Sequence, residues 1–258
     1  MNLLDPFTKY RYLLTQLVQR EIKARYKQSV VGYAWVILNP IAQLLIYSFV
    51  FSIIFRFPTG DIPYSIFLFT ALLPWTFLQN SVSASTQSLV NNSSLLKKIA
   101  FPREIIPYSV VFSKLIDFLF SLLVFIIFII FSKVTIHSTF WLVIPLLFLQ
   151  IILTIAVSLF LSAANLFYRD IQYLTNLLLM IWMYMTPVVY PASMVPIKYL
   201  WLYKLNPMVG IIEGYRSALF GNYFEVSIIL WSIAVSIILF IISFFLFKKW
   251  ESVFADIV

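Results

Sequence analysis

The chain has 258 residues, of which 62% are hydrophobic and 11% are charged, and it carries a formal net charge of +8 and no cysteine. Soluble domains contain about 25% charged residues, so this chain cannot cover its apolar surface with polar groups, and lipid must cover that surface instead. The lack of cysteine excludes disulfides, thiolate metal sites and cysteine nucleophiles. The positive charges lie mostly beside hydrophobic segments, which argues against a nucleic-acid partner.

The first 33 residues form a segment of their own, and residues 6–27 have the pattern of an amphipathic helix. Apolar side chains cover about half of its circumference, and a basic group lies opposite them. Such a helix lies in the membrane interface and contacts anionic lipid heads. It is either a topology anchor alone or also a surface that packs on a cytoplasmic partner. The basic group consists of Lys9, Arg20, Lys23 and Lys27.

Residues 34–258 contain six segments that approach the roughly 20 apolar residues needed for a helix to cross a bilayer. Backbone groups in lipid must pair internally and the runs show no strand alternation, so we predict an all-α membrane protein with six transmembrane helices. The flanking segments on the side of the termini hold 12 lysines and arginines, against 5 in the opposite loops. This excess predicts cytoplasmic termini in a multi-pass membrane protein. The six segments are residues 34–55, 64–83, 106–131, 140–161, 173–190 and 227–247.

The long cytoplasmic loop contains a short amphipathic segment at residues 93–103. The residue before Pro102 is disfavoured in helical geometry, so we expect a helix that ends near Ala100. Apolar residues lie among basic ones there, and a short amphipathic helix of this kind suits docking into a groove on another protein. In the alternative interpretation the basic residues only enforce orientation. The candidate docking residues are Leu95, Leu96, Lys97, Lys98, Ile99, Phe101 and Arg103.

Lys114 and Asp117 lie one turn apart inside the third hydrophobic segment. Each charge costs about 2.5–3.5 kcal/mol at the bilayer centre, and the apolar residues of that segment offset such a cost. The two side chains have either a paired, structural role or a role as an ion relay.

The outer segment after the fifth span, residues 186–225, is rich in proline yet largely apolar. Two stretches, 197–205 and 207–220, are too short to cross a bilayer and are predicted to be re-entrant or interfacial helices. Asn206 followed by Pro207 is a typical helix start.

The helix predicted at 207–220 has features of a gate. Gly210 and Gly214 recur at a spacing that permits close approach of another helix, and Glu213 and Arg216 can pair three residues apart. We interpret these residues, together with Pro207, as an outer gate; the alternative is a loop that only lies on the membrane.

Polar and aromatic side chains form a stripe on the first and the fifth predicted spans. Such stripes either hold helices together or line a path. Aromatic faces stack on sugar rings, and hydroxyl and amide groups bond to sugar hydroxyls. The stripes consist of Asn39, Gln43 and Tyr47 on the first span and of Asn176, Met180, Met183 and Tyr184 on the fifth.

No phosphate-binding GxxxxGK[ST] loop, paired carboxylates or other catalytic motif occurs. The single histidine, His137, is expected to be structural, and no metal site is expected. The chain is therefore not predicted to be an enzyme and binds no cofactor of its own. If it transports a molecule, another subunit must supply the energy.

Over essentially its whole length the chain resembles the permease subunits of ABC-2-type exporters of O-antigen, capsule and teichoic-acid polysaccharides. The segments that carry the resemblance are LVQREIKARYKQSVVGYAWVILNP (17–40), LLKKIAFPREIIP (95–107), NLFYRD (165–170), TPVVYP (186–191), NPMVGIIEGYRSALFG (206–221) and FKKWESVFADIV (247–258).

The resemblance implies a homodimer around a central path and two copies of a separate nucleotide-binding subunit that holds ATP and Mg. Residues 93–103 correspond to the coupling helix, 197–205 and 207–220 to the outer gate helices, and the amphipathic start to the interface helix. A polyprenyl-pyrophosphate-linked glycan would pass between the first and fifth spans, with the basic N-terminal residues near its pyrophosphate. Alternatives are export of another lipid or a drug, an ion-coupled carrier or channel that depends on Lys114 and Asp117, and a membrane glycosyltransferase.

Overall fold

The computed structural model describes residues 5–26, 31–50, 62–98, 100–221 and 225–257, and within these ranges the chain forms helices and turns without a strand. The all-α prediction is therefore confirmed for the described residues. In chain order the α-helices of these ranges are α1 (Arg11–Tyr26), α2 (Trp35–Phe49), α3 (Tyr64–Thr86), α4 (Ser88–Asn91), α5 (Ser93–Lys98), α6 (Ile105–Phe131), α7 (Val143–Phe167), α8 (Ile171–Tyr184), α9 (Leu200–Leu205), α10 (Pro207–Phe220), α11 (Val226–Glu251) and α12 (Phe254–Ile257).

Four stretches of the described chain are long and apolar enough to cross a membrane: Tyr64–Thr86, Ile105–Phe131, Ser138–Phe167 and Val226–Glu251. They correspond to the second, third, fourth and sixth predicted spans. The first and fifth predicted spans are represented by the shorter apolar helices α2 and α8. The predicted end of the first span, residues 51–55, lies outside the described residues.

Helix α8 is shorter than the fifth predicted span, because it ends at Tyr184 and not at residue 190. Pro187 has no backbone N–H, and it disfavours helical geometry at the residue before it. The hydropathy of residues 185–190 continues past this break, which is why hydropathy alone placed the end too late. Similarly, α1 begins at Arg11, and turns precede it.

Helix α3 is the centre of the bundle. Its side chains are almost all buried, and it packs against α6, α7, α8 and α10. A buried polar link joins three of these helices: the Gln150 amide donates to the carbonyl oxygen of Pro74 at 2.6 Å, and the Tyr215 hydroxyl donates to Gln150 Oε1 at 2.9 Å. Because buried polar groups require partners, this link specifies how α3, α7 and α10 face one another.

Helices α6 and α11 lie at the outside of the bundle. Only 17% of the apolar window of each helix is buried within the chain, and Phe131 and Phe245 remain 81% and 68% exposed. Apolar surface of this extent needs lipid or another protein to cover it.

Candidate coupling and gate sites

The N-terminal helix α1 is held on α6 by ionic and polar bonds. The Arg25 guanidinium pairs with the Asp117 carboxylate and donates to Ser113 Oγ at 3.1 Å, and Arg20 donates to Asn92. Asp117 thus has the paired arrangement expected of a structural charge. Its partner, Arg25, interrupts the amphipathic pattern of α1, and the sequence pattern alone did not identify it.

The predicted basic group lies on α1 and on the turns before it. Lys9, Arg20 and Lys23 have exposed side chains, whereas Lys27 lies outside the described residues. The buried face of the helix includes Leu17, which is 5% exposed and belongs to the main core. Arg20 and Lys23 therefore lie on a helix whose apolar side is fixed to the bundle, and Lys9 lies in the turn before it.

The coupling segment, residues 93–103, begins with α5 (Ser93–Lys98), and its described residues 100–103 are non-helical. Lys97 and Lys98 are exposed and Leu95 is half-buried, whereas Ile99 lies outside the described residues. Leu96 and Phe101 are 3% and 9% exposed and belong to the core of the chain itself. These two residues face inward in this chain, so the surface of the segment available to another protein is mainly basic.

Two grooves flank the coupling segment. One, of about 530 Å³, is lined by Tyr10, Phe101, Arg103 and Lys248 among others. The other, of about 510 Å³, lies between α5 and the α7–α8 connection, and basic side chains line part of it. Its lining includes Ser93, Ser94, Lys97 and Arg169. Arg169 is one of the 12 basic residues on the side of the termini, and the structure brings it beside the coupling segment.

The residues after the coupling segment are bound to the end of α11 by four charged residues, which we call the tail clasp: Arg103, Glu104, Lys248 and Glu251. Lys248 Nζ lies 2.7 Å from Glu104 and 2.9 Å from Glu251, and Glu251 also accepts from the backbone N–H of Arg103 at 2.9 Å. Burial raises the pKa of the Glu104 carboxyl, and the hydrogen bond from Lys248 opposes that rise. No function was predicted from the sequence for the tail, residues 248–258.

Helix α10 begins and ends with capping residues. Asn206 Oδ1 accepts from the N–H of Met208 at 3.0 Å and from the Trp182 indole at 2.8 Å, so the predicted start at Asn206 and Pro207 is confirmed. Gly221 ends the helix with a φ of 71°, and the His137 ring packs against it.

The small residues of α10 permit the close approach that their spacing predicted. A methyl group on Gly210 would lie 2.2 Å from Ser232 Oγ and 2.8 Å from the carbonyl oxygen of Ile228, both on α11. On Gly214 it would lie 2.8 Å from a terminal carbon of Leu146 on α7. Helix α10 is therefore seated directly on α11 and α7.

Arg216 is the most deeply buried charge of α10. Its side chain is 2% exposed, and its guanidinium lies 2.8 Å from the Glu213 carboxylate, which confirms the predicted pair. The guanidinium also donates to the carbonyl oxygen of Val188 at 3.1 Å and lies 3.6 Å from the ring centroid of Phe67. One side chain thus fastens α10 to α3 and to the segment that follows α8.

A second ion pair joins the two ends of the part of the outer segment that contains α10. Lys204 at the end of α9 pairs with Glu225, which directly precedes α11. The hydrogen bond from Lys204 lowers the pKa of the Glu225 carboxyl. Both side chains are about two-fifths exposed, at 41% and 39%, so solvent screens the pair and it contributes little stability.

The two polar stripes lie on helices on different sides of α3. Helix α2 packs against α3 and α6, and α8 packs against α3 and α7. The side chains of Asn39, Gln43 and Asn176 are exposed, and Met180 and Tyr184 are 56% and 69% exposed. Tyr47 and Met183 are instead partly packed against the core. The stripes therefore remain largely uncovered within one chain.

Residues 12–220 match the family model described as ABC-2 type transporter. The chain belongs to the ABC-2 transporter family. Three relatives of this ABC-2 chain are named as export permeases or as a transport protein. The O-antigen export system permease protein RfbA of Klebsiella pneumoniae is 34% identical over 249 residues, covering 95% of this chain and 94% of the relative. Its Myxococcus xanthus counterpart is 34% identical, covering 86% and 85%. The polysialic acid transport protein KpsM of Escherichia coli is 26% identical, covering 84% of each.

Within this ABC-2 chain the predicted site residues fall into separate places. Those of α10 form one connected set with α3, α7 and α11, and those of the coupling segment form another set with the tail clasp. Among the described residues, no group of three or more His, Asp or Glu side chains could hold a metal ion.

We expect replacement of Asp117 by Leu to weaken the attachment of α1 by about 1.5–3 kcal/mol, the range for hydrogen bonds to charged groups. Arg25 would then be left without its carboxylate in a site where it is only 25% exposed. Protease cleavage within residues 1–33 should become faster, which mass spectrometry of the purified protein can measure. The double variant Arg25→Leu with Asp117→Leu should recover most of the protection, and Arg11→Leu, an exposed arginine of α1, is the control. Unchanged cleavage of the single variant would contradict the prediction.

Proposed function

We propose that this chain is the transmembrane subunit of an ATP-driven exporter that moves a polysaccharide across the membrane. The observation that carries the proposal is the 34% identity to an O-antigen export permease over 95% of the chain. Because the sequence contains no phosphate-binding loop, a separate nucleotide-binding subunit binds ATP and Mg and supplies the energy. The chain itself catalyses no covalent step.

The proposed assembly contains two copies of this chain, each with six spans and cytoplasmic termini, and two copies of the ATPase. Two copies that face each other through α2 and α8 would enclose the exposed polar stripes between them. Asn39, Gln43 and Asn176 would then offer hydrogen bonds to sugar hydroxyls, and Tyr184 an aromatic face. Many weak contacts of this kind suit a polymer that slides, because no single site holds it tightly.

At the cytoplasmic side, the ATPase is proposed to bind the coupling segment through its exposed residues Lys97 and Lys98 and through half-buried Leu95. Leu96 and Phe101 act differently: their burial in the core anchors the segment to the bundle. A movement of the segment is therefore passed into the permease. A basic surface of this kind fits an acidic cleft on the partner.

The cargo is proposed to be a glycan linked to polyprenyl pyrophosphate. The exposed Lys9, which precedes α1, and the exposed Arg20 and Lys23 on α1 offer positive charge to a pyrophosphate at the membrane interface, and Lys27 would extend that group. Anionic lipid heads are the competing ligand for the same charges.

At the outer side, α9 and α10 are proposed to form a gate above the path. The support is the position of α10, which contacts α3, α7 and α11 and carries Arg216 bound to the carbonyl oxygen of Val188. An ion-coupled carrier is the weaker alternative, because Asp117 is already paired with Arg25.

The test is co-purification of the tagged permease with a candidate ATPase from the same genome, for the wild type and for Lys97→Glu with Lys98→Glu. We expect the double variant to lose the complex, because two charge reversals place like charges against an acidic cleft. Both side chains are exposed, so the melting temperature of the permease should not change. Lys198→Glu, an exposed reversal in the segment before α9, is the matched control and should retain the complex.

If the variant with Lys97→Glu and Lys98→Glu still binds the ATPase, these two lysines are not part of the interface. A wild-type chain that binds no ATPase and yet transports would overturn the exporter proposal and favour the carrier. Transport of a lipid-linked glycan into proteoliposomes, against a lipid without sugar, separates polysaccharide export from export of another lipid.

A further inference from the structure

The end of α11 and the residues after the coupling segment are joined by charges that have little access to water. The Glu104 side chain is fully buried, and its carboxylate oxygen Oε2 accepts from Lys248 at 2.7 Å. Arg103 donates to the backbone carbonyl oxygen of Glu251, and its backbone N–H donates to the carboxylate of the same residue. Such a cluster in a low-dielectric site holds its geometry, because any separation leaves a charge unpaired.

Aromatic packing closes the same contact from the other side. After α11 the chain turns back, and Phe254 of α12 is fully buried with its ring centroid 5.2 Å from that of Phe247 and 6.3 Å from that of Phe167. The Arg103 guanidinium lies 6.0 Å from the centroid of Phe254. The tail therefore contacts Arg103 through both Glu251 and Phe254. The tail clasp lies where the coupling segment meets the bundle.

Helix α11 connects the tail clasp to the gate helix without interruption. It is a single helix of 26 residues with neither proline nor glycine. Ser232 of α11 packs against Gly210 of α10. Lys248 lies 16 positions further along the same helix, which at 1.5 Å per residue is a distance of roughly 24 Å. The side chains that α11 buries are mainly serines, Ser232, Ser236 and Ser243, and small side chains permit slight sliding of packed helices.

We propose that the tail clasp makes α11 follow the coupling segment, so that movement imposed by an ATPase at residues 93–103 reaches α10 at the other end of the helix. Lys248 is the positioning residue of this connection, since it bonds Glu104 and Glu251 at the same time. The inference rests on the proposed function for the source of the movement. It adds that α11 carries the movement and that the bonds of Lys248 to Glu104 and Glu251, which lie outside the coupling segment, are required for it.

The experiment uses the natural absence of cysteine in the chain. Ser227 is exposed at the start of α11, near the gate, so Ser227→Cys gives a single labelling site for a membrane-impermeant maleimide. The labelling rate is measured in the reconstituted complex with the ATPase, with and without ATP and Mg. The clasp is then broken by Glu104→Met with Lys248→Met, which removes both buried charges together and replaces them with side chains of similar length. This pairwise replacement leaves no unpaired charge at the fully buried position 104. The Glu251 carboxylate loses Lys248 but keeps the backbone N–H of Arg103, so the variant is expected to fold.

With the clasp intact, ATP should change the labelling rate at position 227, and Lys248→Arg should keep that change. In the double methionine variant the ATP-dependent change should be lost while co-purification with the ATPase and its ATP hydrolysis are retained. Persistence of the ATP-dependent change in that variant would overturn the inference, as would the absence of any change in a wild-type complex that transports glycan. Co-purification and transport by the wild type report separately on the proposed function.

Discussion

Replacement of Arg216 by Leu is expected to be the most damaging single change in α10. Arg216 is 2% exposed while Glu213 is 32% exposed and can regain water, so the loss is that of the hydrogen bonds of a buried cation, about 1.5–3 kcal/mol. The thermal stability of the variant in detergent should fall well below that of the wild type. It is measured as the fraction of protein that stays monodisperse after heating. The gate should also loosen, because α10 would lose its bond to the carbonyl oxygen of Val188.

Three contacts of Arg216 contribute to the expected loss of stability: the ion pair with Glu213, the hydrogen bond to Val188 and the contact with the ring of Phe67. The guanidinium face on Phe67 is a cation–π contact at 3.6 Å, worth about 2 kcal/mol when desolvated. Arg216→Lys keeps the charge but loses the planar, forked donor that stacks on the ring and reaches a carbonyl oxygen at once. We therefore expect the lysine variant to lie between the wild type and the leucine variant.

The matched control is Lys204→Ala, which breaks the solvent-exposed pair with Glu225. Exposed pairs contribute about 0–1 kcal/mol, so this variant should melt close to the wild type. If Arg216→Leu is as stable as Lys204→Ala, then apolar packing and not the buried cation holds α10 in place.

Features that depend on neighbouring residues were predictable from the sequence. The start of α10 requires only Asn206, Pro207 and the N–H two residues after the cap, and the structure has this arrangement. The pair of Glu213 and Arg216 requires only helical spacing. In both cases the local backbone brings the groups together, so no knowledge of the tertiary fold is needed.

Contacts between distant helices were not predictable, because they depend on how each helix is rotated in the bundle. Arg25 and Asp117 are 92 residues apart, and Glu104 and Lys248 are 144 residues apart. A basic residue near a span end is equally consistent with a topology signal. Nothing in a single sequence separates that role from a buried pair.

The coupling segment illustrates a different limit. Its apolar residues were predicted to dock on a partner, and the pattern alone does not say which protein core they enter. Leu96 and Phe101 are buried in this chain, so an aspartate at either position would damage the fold and would not test docking. The exposed lysines 97 and 98 are the informative positions.

Gly210 is expected to tolerate alanine much less well than Gly214, although both lie on the same face of α10. A methyl group at Gly210 meets Ser232 Oγ at 2.2 Å and the backbone carbonyl oxygen of Ile228 at 2.8 Å, whereas at Gly214 the nearest atoms are terminal carbons of Leu146. A backbone oxygen cannot rotate away, so overpacking at Gly210 should cost about 1–3 kcal/mol. At Gly214 a side chain can shift, and the helix gains about 1 kcal/mol from replacing glycine by alanine, which offsets the strain.

Thermal unfolding of the two alanine variants in the same detergent measures this difference. The double variant Gly210→Ala with Ser232→Ala should recover only part of the loss, because it removes the hydroxyl contact and leaves Ile228 in the way. Full recovery would mean that the hydroxyl alone limits the approach of the helices, and equal stability of both single variants would mean that α10 is not seated on the backbone of α11.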